Sequence, residues 1–218
     1  KTDDNMAHVM TVRGPIAPED LGPTMTHEHV FLDIRDAWEP IDEVSDPEAG
    51  TRPFDASLGG PSRWNGAAYR SNLALSPDDD YELLVEEVGE FVKAGGRTIV
   101  DVTTIGMNGS PKDLRRLSND LDFNIVAGAG IYVQAFHPPW VEEMDIEQLT
   151  DFISREVNEG LEGTDVLPGI IGEIGTSETL FDVEERVLAA SARVAILTDT
   201  PINIHCHPPQ VDVVHQIL

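Results

Sequence analysis

From Ser76 to His205 the sequence alternates helix-period and strand-period stretches, and that alternation leaves few folds open. Ser76-Pro77-Asp78 has the grammar of a helix start, with a capping hydroxyl, a proline in the first turn and acids at the positive end of the helix dipole. Tyr81, Leu84, Val85, Val88 and Val92 recur at helical spacing until Gly95-Gly96 stops the run. Thr98-Ile99-Val100-Asp101-Val102 then reads as a buried strand. Ser110-Pro111 opens a shorter helix, and Phe123-Asn124-Ile125-Val126-Ala127 is the next strand. Asp145 and Gln148 predict a capping box, behind which Leu149, Phe152, Ile153 and Val157 line one face as far as Gly160. Gly169 to Ile174 is a strand, Asp182 to Thr198 a helix, and Pro201 to His205 the last strand. With Thr24 to Val30 in front, the reading gives five strands. Crossovers that return the chain to the same end make the sheet parallel. An open doubly wound sheet and a closed (β/α)8 barrel both satisfy this pattern. No GxGxxG or GxxxxGK[ST] loop opens a helix, which weakens the nucleotide-binding open sheet.

A length of 218 residues suits a single α/β domain, residues 1–218, with one long insertion from Asp36 to Ser76 after the first strand. That insertion is rich in Pro, Gly and Ser and carries Trp38, Trp64 and Tyr69, the composition of a functional loop rather than a linker. Forty acidic residues against fourteen basic ones give a formal net charge of −26, which repels phosphate backbones and anionic lipid. No nucleic-acid or membrane partner is therefore expected; a small-molecule substrate is, and a homo-oligomer is compatible. The single cysteine, Cys206, allows no internal disulfide and fits a reducing compartment. The opening KTDDNMAHVM lacks the charged-then-apolar order of a signal peptide, so the expected location is cytoplasmic.

Three strand ends carry ionisable residues where apolar ones are the rule. Thr26-His27-Glu28-His29 closes the first strand, and side chains two apart on a strand share a face, so both imidazoles can converge on one cation. Glu28 then points to the other face. Glu173, inside Gly-Ile-Ile-Gly-Glu-Ile-Gly175, cannot be hydrated like a surface carboxylate and must be paired, protonated or metal-bound. His205 ends the last strand. Parallel strands finish on one rim, which brings His27, His29, Glu173 and His205 to the same face and favours a metal site over separate buried polar residues. Asp101 reads either as a support for a ligand histidine or as a carboxylate bonded to a neighbouring strand. His207 returns to the inner face beyond His205, and Tyr132 follows the third strand, so both are candidates to touch substrate. The loop His137-Pro-Pro-Trp140 reads as surface more than as pocket wall.

Leu21-Gly-Pro-Thr-Met-Thr-His-Glu-His29, Gly-Ile-Ile-Gly-Glu-Ile-Gly175 and Pro201-Ile-Asn-Ile-His205 together resemble the phosphotriesterase family of the amidohydrolase superfamily, closest to the phosphotriesterase-related branch. Gly-Ala-Gly-Ile-Tyr132 and Ile146-Glu-Gln-Leu-Thr150 support the resemblance, which covers about residues 9 to 210. It implies a (β/α)8 TIM-type barrel holding two divalent metal ions, zinc first. His27 and His29 would bind the more buried ion, Glu173 would be the bridging carboxylate, and His205 would bind the more exposed ion. The family pattern also wants a His on strand six and an Asp on strand eight. Eight units at the pitch of this chain need about 350 residues, so those two ligands are expected beyond Leu218. Val211 to Leu218 reads as the helix after strand five, and His215 on it is not the strand-six ligand.

The function this implies is a metal-dependent hydrolase. A metal-bridging hydroxide would cleave a carboxylic ester, a lactone or an N-acyl amide, with phosphotriesters as a side activity. No cluster of Arg or Lys answers a polyanionic substrate. Two alternatives remain at this stage. A TatD-like metal-dependent deoxyribonuclease shares the His-x-His, Gly-Glu-Ile-Gly and strand-five His, but it usually has an Asp where this chain has Thr24-Met25-Thr26. The other is a non-catalytic metal-binding fragment.

Overall fold

The computed structural model describes residues 7–38, 50–53 and 55–207. Five strands form one sheet in their order along the chain: β1 (Thr24–Glu28), β2 (Thr98–Asp101), β3 (Asn124–Ala129), β4 (Ile170–Thr176) and β5 (Ile202–Cys206). Every adjacent pair is parallel. That order decides between the two architectures left open by the sequence. A doubly wound sheet reverses its strand order at a switch point, whereas an unbroken progression with helical crossovers is the winding of a barrel wall. The crossovers are α1 (Tyr81–Lys93), α2 (Pro111–Leu121), α3 (Ile146–Glu159) and α4 (Asp182–Thr198).

The local chemistry explains these boundaries. β3 is buried throughout and β4 nearly so, which is why both read as continuous apolar runs rather than alternating ones. α1 starts at Tyr81, later than Ser76-Pro77 suggests, because the Ser76 N–H donates to Asp80 Oδ2 at 2.8 Å and closes a turn first. α3 carries the predicted capping box, with Asp145 accepting from the Gln148 N–H and the Gln148 side chain accepting from the Asp145 N–H. Leu84, Val88, Leu114 and Leu117 pack α1 and α2 against Ile99 and Ile125. Leu149, Ile153, Val183, Val187 and Val194 pack α3 and α4 against Ile171 and Ile174. Burying each such side chain contributes roughly 1.5–3 kcal/mol.

β1 is shorter than the sequence suggests. It ends at Glu28, and its register with β2 shifts between Met25 and Glu28, so His29 stands just past the strand. The insertion after it is clipped at both ends, where Leu32–Asp33 pairs antiparallel with Ala74–Leu75. Within it, Leu58, Ala68 and Tyr69 form a small buried cluster. Residues 39–49 and 54 of the insertion, and the helix expected over Val211 to Leu218 with His215, lie outside the described residues. Among the described residues no helix is long and apolar enough to cross a membrane.

One glycine shapes the sheet beneath the candidate site. β4 pairs with β3 only at Gly128–Ile170 and Ala129–Ile171. Beyond that the Glu173 N–H donates to the Val102 carbonyl at 3.2 Å, reaching past β3 to the chain that follows β2. A Cβ on Gly128 would stand 1.8 Å from the Gly172 oxygen and 3.3 Å from the Asp101 oxygen. Only a residue without a side chain lets the two strands approach here, and that approach brings Glu173 toward β1.

Candidate functional site

Glu173 lies at the centre of the rim, with 1% of its side chain exposed. Its Oε2 is 2.9 Å from His27 Nε2 and 3.2 Å from His205 Nδ1, while Oε1 is 3.3 Å from His29 Nε2. The structure therefore brings together all four residues singled out at the strand ends. Burial pushes the Glu173 carboxyl upward, but hydrogen bonds and charge from His205 and His29 outweigh it and hold the group at about 2. Burial pulls His29 down, yet the hydrogen bond to Glu173 and the charges of Glu173, Asp101 and Glu28 raise it above its ordinary value. One buried carboxylate framed by three imidazoles is a concentrated set of Lewis bases.

A divalent ion fits that set. Ligand atoms of His27, His29 and Glu173 all lie within 4.8 Å of one another, and two imidazole nitrogens with a carboxylate oxygen suit a borderline cation such as zinc. His205 faces the same carboxylate, so the two Glu173 oxygens have imidazoles on both sides.

The shell behind the cluster is polar and closed. His29 Nδ1 is 3.0 Å from Thr103 Oγ1, and the Asp101 carboxylate holds Thr103 in turn. Asp101 also accepts the Val30 N–H at 2.7 Å and the Thr103 N–H at 3.1 Å, clamping the turn after β1 to the end of β2. Burial raises the Asp101 carboxyl to about 6 despite these bonds. Asp101 is thus bonded to the turn after β1 rather than to a neighbouring strand, and it holds Thr103, the partner of His29. Neither Thr103 nor Thr104, whose hydroxyl donates to the Glu173 carbonyl at 3.0 Å, is visible in the sequence pattern. An ordinary Thr-Thr pair at a strand end carries no signal of its own.

Tyr132 meets the His205 ring edge-on at 5.2 Å between centroids. Burial, helped by the charge of Glu173, pushes its phenol up to about 12, so it remains a hydrogen-bond donor at neutral pH. His137 is half-buried with its ring turned back on the Tyr132 carbonyl, 2.7 Å from Nε2, so it fixes the loop instead of lying on the surface. His207 is exposed one residue past β5.

Residues 7–217 match the model of the phosphotriesterase family. The chain belongs to this family. Among members of the phosphotriesterase family, it is similar to the N-acetyltaurine hydrolase of Xenopus tropicalis, with 39% identity over 202 residues, covering 90% of this chain and 56% of that protein. The chain spans about half the length of the curated relatives it matches. It is also similar to the crystal structure of a resiniferatoxin-binding protein from Rhodobacter sphaeroides, with 34% identity, a TM-score of 0.89, and 96% of this chain and 57% of that one covered. The lactonase Lmo2620 from Listeria monocytogenes matches at 25% identity and a TM-score of 0.71 over 97% of this chain and 62% of its own. The five-stranded sheet is accordingly about the first five strands of a phosphotriesterase-family (β/α)8 barrel.

Proposed function

We propose that the protein carrying this chain is a metal-dependent hydrolase of carbonyl substrates, an N-acyl amide or lactone before an ester, with phosphotriesters as a side activity. The observation that carries this reading is the single buried carboxylate held between three imidazoles at a barrel rim. The relatives named for N-acetyltaurine hydrolysis and lactonase activity point the same way on substrate class, and the family match favours this reading over a deoxyribonuclease.

His27, His29 and Glu173 would hold one ion, and Glu173 with His205 a second, zinc being the first choice for this donor set. When bound, such ions supply Lewis acidity that polarises a carbonyl and acidifies water. The remaining work belongs to the chain. With an ion bound, Thr103 would accept the His29 Nδ1–H and so leave the Nε2 lone pair to the ion. Asp101 orients Thr103 and holds the turn that carries His29. Tyr132, protonated beside His205, would donate to a substrate oxygen, and the exposed His207 would contact substrate.

The test is hydrolysis by the purified protein after chelator stripping and zinc reloading, with N-acetyltaurine, a γ-lactone and an aryl phosphotriester as probes. Expected are turnover of an amide or lactone restored by zinc, and weaker turnover of the phosphotriester. A zinc-loaded protein that cleaves neither carbonyl probe would count against the assignment.

Thr103→Val separates the supporting shell from the ligands. It keeps the shape but removes the partner of His29 Nδ1, so zinc affinity in a competitive chelator titration should fall about 10–100-fold. Thr103→Ser, which keeps the hydroxyl, should stay close to the unsubstituted protein. Equal affinities for the Val and Ser variants would remove Thr103 from the account.

A further inference from the structure

Glu184 is a fully buried carboxylate on the first turn of α4, and the chemistry above makes no use of it. Its Oε1 accepts the Gln134 N–H at 3.0 Å, the Ser177 hydroxyl at 2.7 Å and the Ser177 N–H at 3.1 Å. Its Oε2 shares the Ser177 N–H at 3.1 Å and accepts the Phe181 N–H at 3.1 Å. Every one of these partners is a donor, so both oxygens are satisfied without a cation. A buried carboxylate costs several kcal/mol to desolvate, and charge-assisted bonds from a ring of fixed donors offset that cost.

The donors come from two different loops. Gln134 is two residues past Tyr132, and Ser177 directly follows β4, the strand that bears Glu173. Between these points the backbones touch: a Cβ on Gly175 would lie 2.2 Å from Val133 N and 2.6 Å from the Tyr132 carbonyl carbon. Gly175 permits the contact and Glu184 fastens it. The Tyr132 ring thereby keeps its place against His205 at 5.2 Å and Phe136 at 5.4 Å.

We propose that Glu184 is a positioning residue for substrate: it pins the Tyr132 loop to the end of β4, and so sets the wall that receives the acyl group. The substrate role rests on the hydrolase reading above; the pinning does not. Glu184→Met keeps the length of the side chain but offers no oxygen, so the Gln134 N–H, the Ser177 hydroxyl and the Phe181 N–H lose their shared acceptor together.

Two readouts test this in the purified protein. Hydrogen–deuterium exchange, read by mass spectrometry without substrate, should be at least about tenfold faster over residues 131–137 in Glu184→Met and unchanged over 146–159. In the zinc-loaded protein, KM for the better carbonyl probe should rise about tenfold with kcat within about threefold. In a Tyr132→Ala background the same substitution should change KM less than twofold. A purely structural role would lower the melting temperature without moving loop exchange or the KM of the folded fraction. Should Glu184→Met fail to fold, Ser177→Ala removes one donor, and its faster exchange should appear over residues 131–137 and 177–181. Unchanged loop exchange overturns the pinning whether or not any probe is hydrolysed, and full additivity with Tyr132→Ala overturns its action through the loop. Faster exchange without turnover by the unsubstituted protein would overturn the hydrolase reading, and the substrate role with it.

Discussion

On the proposed reading, Glu173→Gln is expected to remove ion binding and hydrolysis together. Among the described residues the carboxylate contacts all three imidazoles, so its loss takes a ligand from both candidate ions and leaves His27 with His29 for one and His205 alone for the other. Gln fills the same volume but offers one acceptor oxygen and an NH2 that faces an imidazole nitrogen. The Lewis-acid contribution of bound ions is worth several kcal/mol, so kcat/KM should drop about 1,000-fold or more. Zinc content measured by mass spectrometry should fall in parallel. A Gln variant that keeps its zinc and its turnover would dismiss Glu173 as the bridging group.

The same variant carries a pH signature in the ion-free protein. Glu173 is held at about 2 against an ordinary 4.5, so its stabilisation is present above pH 4.5 and is lost as pH falls through about 2. His29 is shifted the other way, so its share is present below its ordinary 6.5 and is lost as pH rises through its raised value. The gap in melting temperature between the unsubstituted chain and Glu173→Gln should therefore be widest from about pH 4.5 to 6.5 and narrow on both sides. A gap independent of pH would mean that the pair contributes no charge-dependent stability.

Gly128→Ala should have the largest effect on folding. The added methyl would stand 1.8 Å from a backbone oxygen, and no rotamer can relieve a clash with the main chain. Either β4 withdraws from β2 or the sheet does not close, at an expense upwards of about 3 kcal/mol. Loss of soluble protein, or a melting temperature lowered by more than ten degrees, is the expected result. If the variant folds, Glu173 should be displaced from His27 and zinc affinity should fall with it. A stable Ala variant with unchanged zinc affinity would show that the close approach at Gly128 is not needed.

The strands were legible because a parallel sheet covered by helices needs long apolar runs, and these are supplied from Ile125 to Ala129 and, Glu173 apart, from Ile170 to Ile174. The cluster was legible for the opposite reason: Glu173 interrupts such a run in mid-strand rather than at the end expected for it, His205 lies near the end of β5, and His27 and His29 stand two apart. Sheet order was not legible, since local periodicity carries no information about which strand lies beside which. Glu184 was hidden in plain view. It stands among Asp182, Glu185 and other acids of an acidic chain, and its partners are main-chain amides, which leave no residue-type pattern. Thr103 escaped for a similar reason, because a hydroxyl that orients a ligand looks like any threonine in a strand. His29 was placed on β1 by alternation alone, and the register shift that puts it just beyond the strand depends on pairing with β2.

The candidate ligands come from strands far apart in the chain, β1, β4 and β5, and they meet only once the intervening sheet is in register. In an unfolded ensemble His27 and Glu173 are separated by most of the sequence, so the site has no counterpart there. An ion held by all of these groups consequently binds the native state more tightly than the unfolded chain, which keeps only the local His27–His29 pair, and mass action converts that difference into resistance to unfolding. At a free concentration one hundred times the dissociation constant, that linkage amounts to about 2.7 kcal/mol. Thermal denaturation across a series of cations thus becomes a selectivity assay that requires no substrate, ranking ions by how far each displaces the transition.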